Sequence, residues 1–257
     1  MIYITFGYRL PYFISKVLFG DRRRFGVVAN TDDPCWKEWE KTYLDFYYNN
    51  QKKSVGKIVN NAGYHVMSKI DMEGKKILEI GPGDISHIPY WRSKPDLYII
   101  ADTQNQMLDL SSKKLERFNI NYSKILVMGR GFIELPFRDE ELDIIVSFYT
   151  FEHLFPLENY LKEFKRILKK GGRIVGAIPC EGGLAWDLGR FFTTRRWFKR
   201  NTNINPDKII CWEHPNFADT VLKTLDLHMK RLYVNFWPFK IPFIDFNLIV
   251  SFIYEKQ

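Results

Sequence analysis

The chain has 257 residues, 46% of them hydrophobic, and a net charge of +8 from 38 Lys and Arg against 30 Asp and Glu. That length and apolar fraction suit one large α/β domain with additions and exclude global disorder. The basic excess favours polyanions, acidic glycans or anionic membrane surfaces. The bases are scattered, however, apart from "DRRRF" (21–25) and "TTRRWFKR" (193–200), and no nucleic-acid-binding signature is present, so no nucleic-acid partner is expected.

Residues 1–30 are aromatic and basic without clear periodicity. Arg9 and Pro11 interrupt the apolar start, no small-residue cleavage site follows, and no apolar run reaches the length of a membrane span. In "DDPCWKEWEKTYLDFYYNNQ", Asp33 reads as a helix cap with Pro34 at the first position. Trp36, Trp39, Tyr43, Phe46 and Tyr47 then recur at helical spacing, as core packing rather than a sugar platform. A second helix is expected over 55–70. Residues 1–70 are thus a flank and helical lid, and 71–257 the main domain.

From residue 75, short apolar runs alternate with amphipathic segments. "KILEI" (76–80), "LYIIAD" (97–102), "KILVM" (124–128), "LDIIVSF" (142–148) and "RIVGAIP" (173–179) read as buried strands. Between the last two, Leu157, Leu161, Phe164 and Leu168 share a helical face, and Gly171-Gly172 are expected to stop that helix. This alternation predicts a parallel sheet with right-handed crossovers. Residues 180–215, rich in Gly, aromatics and bases, form an insertion on the substrate side, long enough to fold over something. "NFADTVLKTLDLHM" is a helix with Asn216 as its cap, and strands near 231–237 and 246–254 close the sheet as an antiparallel hairpin.

In a parallel sheet, ligands bind beyond the carboxyl ends of the strands, where strand order reverses. "EIGPG" ends the first strand. Gly81 and Gly83 let backbone approach a ligand, and Glu79 just below can accept hydrogen bonds. Asp102, ending the second strand, can take both ribose hydroxyls of an adenosine group. Cys35, Cys180 and Cys211 are odd in number and widely spaced, which suggests neither a disulfide framework nor a metal site and fits a reducing, cytoplasmic compartment. No metal is read from the sequence.

Residues 71–179 resemble the class I S-adenosylmethionine-dependent methyltransferases, of the type 11 kind. "LEIGPG", "ADTQ", "IELPFRDEELDIIVSFYTFEHL" and "LKEFKRILKKGGRIVGAIP" resemble four of their motifs in the right order. The late hairpin matches the family's antiparallel seventh strand. The tail "EGGLAWDLGR…EHPNF" is similar, more distantly, to methyltransferases of bacterial surface-polysaccharide pathways. The resemblance implies a Rossmann-like α/β fold with a seven-stranded, mostly parallel sheet, and S-adenosyl-L-methionine as cofactor. Glu79, Gly81, Pro82 and Gly83 would surround its methionine part, and Asp102 with Thr103 would meet its ribose. Gly131 and Phe132 would flank the adenine, and Ser147 and Phe148 would floor the sulfonium. Many relatives hold the adenine amino group with an Asp where "GRGFIELPF" has Gly131, and Pro89 shortens the helix after the glycine loop.

Methyl transfer requires nucleophile, methyl and sulfur in line, with water excluded. A hydroxyl acceptor also needs its proton removed, which points to His153, His214 and Glu181, with Glu213 beside them. Each also has a plain reading: His153 and His214 as structural histidines, Glu181 and Glu213 as surface carboxylates, Asp102 as a helix cap. The expected acceptor is a sugar or small-molecule hydroxyl, such as a bacterial glycan precursor. The aromatic N-terminus and Arg22–Arg24 would rest peripherally on the inner face of the membrane. Two other readings are a non-catalytic scaffold with a degenerate pocket and a nicotinamide-dependent oxidoreductase. Ser86, where a third glycine belongs, argues against the latter.

Overall fold

The apolar runs rich in β-branched residues become strands. The computed structural model describes residues 2–46, 54–127 and 134–257. Strands β1 (Lys76–Ile80), β2 (Leu97–Asp102), β3 (Tyr122–Leu126), β4 (Leu142–Phe148), β5 (Leu168–Pro179), β6 (Lys230–Trp237) and β7 (Ile249–Glu255) form one sheet. Its order is β3-β2-β1-β4-β5-β7-β6. The first five strands pair in parallel, and β7 runs antiparallel between β5 and β6. The order reverses between β1 and β4, so the crevice for a ligand opens at their carboxyl ends.

Alternation along each strand divides the core between two faces. Leu78, Ile80, Ile145, Ile174 and Phe252 face one side, under α6 (Leu157–Ile167) and α10 (Ala218–His228). Ile77, Tyr98, Ile100, Val146 and Phe148 face the other, against α4 (Ser54–Tyr64) and α5 (Asn105–Arg117). The crossover from β1 to β2 holds only a 3-10 turn at Ile88–Tyr90, where Pro89 leaves no room for a full helix.

The N-terminal flank carries α1 (Tyr12–Phe19), α2 (Arg22–Phe25) and α3 (Pro34–Phe46). Asp33 accepts the Cys35 amide at 2.9 Å and so caps α3. The insertion folds as α7 (Leu184–Phe192), α8 (Thr194–Asn201) and α9 (Pro206–Glu213). Flank and insertion meet in a third apolar cluster, in which Trp36, Trp39 and Phe46 pack on Phe198, Ile209 and Trp212.

Three expectations are corrected. Helix α6 ends at Ile167, before the glycines, because buried Leu168 already pairs with Leu142 in the sheet. Residues 169–172 then bulge out of β5, and Gly171 adopts φ +75° there. Asn216 does not cap α10. Phe217 occupies that position, and the Asn216 amide spans to the carbonyls of Phe151 (3.0 Å) and Leu154 (2.6 Å). Arg22 does not face outward with Arg23 and Arg24. It donates to the carbonyls of His214 (2.5 Å) and Pro215 (2.8 Å) and lies over the Phe217 ring.

Phe164 is fully buried between α6 and the sheet. Phe164→Ala is expected to destabilise the protein by about 3–5 kcal/mol, read as a lower urea midpoint at unchanged slope.

Candidate active site

The carboxyl ends of β1, β2 and β4 open into a cavity of about 1340 Å³, above the roughly 300–1,000 Å³ of a pocket for one small ligand. At one end the chain leaves β1 through Gly81 (φ +65°) and Gly83 (φ +57°), a left-handed region that glycine enters without strain. A Cβ on Gly81 would come within 2.5 Å of Thr150 Oγ1, so only glycine fits between the β1 and β4 ends. Asp102 and Thr103 line the same end. Asp102 Oδ1 accepts the Gln104 amide at 2.9 Å, and burial pushes its carboxyl up to about 6. Phe148, Tyr149 and Thr150 form the floor beside them. Tyr149 is held at φ +57°, its hydroxyl donating to the Asn60 carbonyl at 2.6 Å.

Glu79 lies beneath this loop, fully buried and off the cavity wall. It accepts from the Tyr98 hydroxyl at 2.8 Å and contacts His87 Nε2 at 2.9 Å. Trp91 Nε1 donates to His87 Nδ1 at 2.9 Å. An indole only donates, so His87 carries its proton on Nε2 and donates it to Glu79. The carboxylate therefore braces the loop from below. Ser147 likewise lies off the cavity, because alternation turns it to the opposite face from Phe148. Gly131 and Phe132 lie outside the described residues.

The far end of the cavity gathers residues distant in sequence. His153 follows β4, Glu181 follows β5, and His214 follows α9, yet the two imidazole rings lie 4.7 Å apart. Asn216 holds the 151–154 turn against this segment, and Arg22 holds it from the flank. Glu181 is fully buried and accepts from Arg190 at 2.8 Å and Trp186 at 3.0 Å. Burial alone would raise its carboxyl; Arg190 and His214 hold it well below the usual range. His214 Nδ1 lies 3.0 Å from Glu181 Oε1, off the line of a hydrogen bond. Burial lowers the His214 imidazole despite Glu181, which leaves it neutral near pH 7. His153 Nδ1 bonds the Glu213 carbonyl, while Trp39 donates to the Glu213 carboxylate at 2.9 Å.

Sequence reasoning missed His87, Tyr98, Glu152, Arg190 and Asn216 as site builders. Glu152 adjoins His153 in "FEHLF", and that adjacency was the one available signal. The others are joined only by the fold.

Residues 78–176 match the family model of the methyltransferase domain. A probable S-adenosylmethionine-dependent methyltransferase of Mycobacterium tuberculosis is 26% identical over 84 residues, 33% of this chain and 31% of that protein. An uncharacterized methyltransferase of Schizosaccharomyces pombe is 31% identical over 103 residues, 40% of this chain and 38% of its own. The chain therefore spans about a third of the curated relatives it matches. Among solved structures, the N-methyltransferase NodS of Bradyrhizobium japonicum, in complex with S-adenosyl-L-homocysteine, superposes with a TM-score of 0.56 at 12% identity, covering 87% of this chain and 99% of that one. Residues 78–176 are thus similar to the methyltransferase domain, and the curated relatives that match include S-adenosylmethionine-dependent methyltransferases. Its sheet has the class I methyltransferase topology, with β7 as the antiparallel strand.

The cofactor end of the methyltransferase domain makes a prediction for pH. Above about 6 Asp102 is a carboxylate that accepts from hydroxyls; below it, protonation removes an acceptor. S-adenosylhomocysteine affinity measured by calorimetry is expected to be level above neutrality and to weaken below that value. Asp102→Asn should weaken binding roughly tenfold or more and flatten the acid limb.

Proposed function

We propose that the chain moves a methyl group from S-adenosylmethionine to a hydroxyl of a sugar or other small, lipid-linked molecule, such as a bacterial glycan precursor. One observation carries this reading: the glycine loop with Asp102, and the His214–Glu181 cluster, line the same cavity. Bound cofactor supplies a methyl already activated on a sulfonium. Gly81 and Gly83 fit its close approach to backbone, and Asp102 accepts from its ribose hydroxyls. Phe148 and Tyr149 exclude water from the floor. His214, neutral and set against an anionic Glu181, removes the proton of the acceptor hydroxyl.

The lipid-linked part rests on the surface beside the cavity. Among the described residues, no helix is long and apolar enough to cross a membrane. Helix α1 nevertheless exposes Phe13 (67%) and Val17 (45%), and it packs against α7, which exposes Leu188 and Phe192. Exposed Lys16, Arg23 and Arg24 flank this patch. Apolar side chains rimmed by bases suit the interface of an anionic bilayer.

Two measurements test the proposal. Incubation with labelled cofactor and a panel of nucleotide sugars and lipid-linked glycans is expected to label a hydroxyl-bearing product. His214→Ala should slow that transfer by about 10²-fold or more while S-adenosylhomocysteine still binds; full turnover would remove His214 from the role. Flotation with anionic liposomes should recover the protein, and Phe13→Glu with Val17→Glu should abolish recovery. Absence of wild-type binding would overturn the membrane reading.

A further inference from the structure

The end of the cavity around His153 and His214 gathers several buried side-chain atoms without hydrogen-bond partners. Glu152 is 3% exposed, and its Oε2 has no hydrogen-bond partner. Its other oxygen lies 3.9 Å from His153 Nε2, beyond hydrogen-bond reach. His153 Nδ1 bonds the Glu213 carbonyl, and a carbonyl only accepts, so the ring proton sits on Nδ1. That leaves Nε2, on the opposite side of the ring, facing Glu152. His214 Nδ1 and Glu181 Oε2 are likewise buried without a hydrogen-bond partner. Donor atoms of Glu152, His153 and His214 all lie within 4.8 Å of one another.

We propose that Glu152, His153 and His214 form a site for a divalent transition-metal ion, of the zinc class, in the acceptor half of the cavity; this rests on the methyltransferase reading of that cavity. Two imidazoles and one carboxylate suit Zn²⁺ or Co²⁺ better than Mg²⁺, which prefers oxygen alone. The Glu213 carbonyl on His153 Nδ1 is the outer contact that fixes a ligating histidine's tautomer and orientation. Ligands about 2.0–2.2 Å from zinc stand roughly 3.3–3.6 Å apart, so the three side chains close on a common ion with about an ångström of movement. Three protein ligands leave a position open for the acceptor oxygen. There the hydroxyl loses its proton to solvent, its oxygen bonds the methyl carbon, the methyl–sulfur bond breaks, and the thioether leaves. His214 is a ligand when the cation is bound and the proton acceptor when it is not.

Titration calorimetry of the metal-stripped full chain with Zn²⁺ and with Mg²⁺ tests the site, alongside the visible absorption of added Co²⁺. One Zn²⁺ per chain is expected, with no comparable Mg²⁺ binding and a Co²⁺ spectrum that carries imidazole ligation. Glu152→Gln, His153→Gln and His214→Gln should each weaken Zn²⁺ roughly a hundredfold, with thermal unfolding and S-adenosylhomocysteine affinity retained. Cys35→Ser, outside the cluster, should leave Zn²⁺ affinity unchanged. His153 is partly exposed, so its variant tests the site even where the Glu152 change disturbs folding. No stoichiometric Zn²⁺ binding, or equal affinity in the folded variants, overturns the metal site. Failure of wild-type protein to bind S-adenosylhomocysteine overturns the methyltransferase reading instead.

Discussion

A carboxylate at the end of β1 has been taken wholly out of water and given only neutral donors. Burying a polar group without hydrogen-bond partners is costly to a fold. Glu79 is therefore tied to the Tyr98 hydroxyl and the His87 ring, and Trp91 holds that ring in one tautomer. Those contacts couple the last turn of β1, the segment after the glycines, and the core of β2. Because the first crossover holds only a 3-10 turn, no long helix stands behind the glycine loop to support it. The buried network does that work, and it sets the height at which Gly81 and Gly83 face the cavity. Glu79, read in sequence as meeting a ligand, lies under the loop and bonds Tyr98 and His87.

The half of the cavity around His153 and His214 is built on a different principle. Its residues come from four places in the chain and are drawn together by carbonyl-directed bonds. Asn216 clasps two carbonyls of the turn after β4, and Arg22 clasps two carbonyls at the end of α9. These bonds position backbone, which leaves the adjoining side chains of Glu152, His153 and His214 turned to the cavity. Glu181 keeps its charge because Arg190, itself buried, lies against it. Removing one partner of such a pair strands the other, so its integrity matters more than any net stability it adds.

Strand content and the glycine loop were legible in sequence because each follows from local pattern: β-branched runs, period, and glycines at a strand end. Asp102 was legible for the same reason, as an acid closing a strand. Glu79 and Ser147 were chosen by position along the strand, and the alternation of side chains decided otherwise. Ser147 belongs to the opposite face from Phe148, and Glu79 lies one layer too deep. The stop of α6 was misread because Gly171 and Gly172 serve a bulge in β5, which looks the same in sequence as a helix end. The pairing of His153 with His214 spans 61 residues and depends on how α7 to α9 fold, information that no local window holds.

On the proposed reading, helix α7 joins the two surfaces that matter for an acceptor. Its inner face carries Trp186 and Arg190, which line the cavity and hold Glu181. Its outer face carries Leu188 and Phe192, exposed beside the apolar side chains of α1. An α-helix with its side chains is about 10–12 Å across. On the proposed reading, a polar head at the His214 cluster and an apolar tail in a bilayer are therefore separated by the width of one helix. The flank that supplies α1 also supplies Arg22, whose guanidinium holds the His214 and Pro215 carbonyls. One short stretch of chain thus contributes both to the exposed apolar patch and to the bonds that hold the His214 segment.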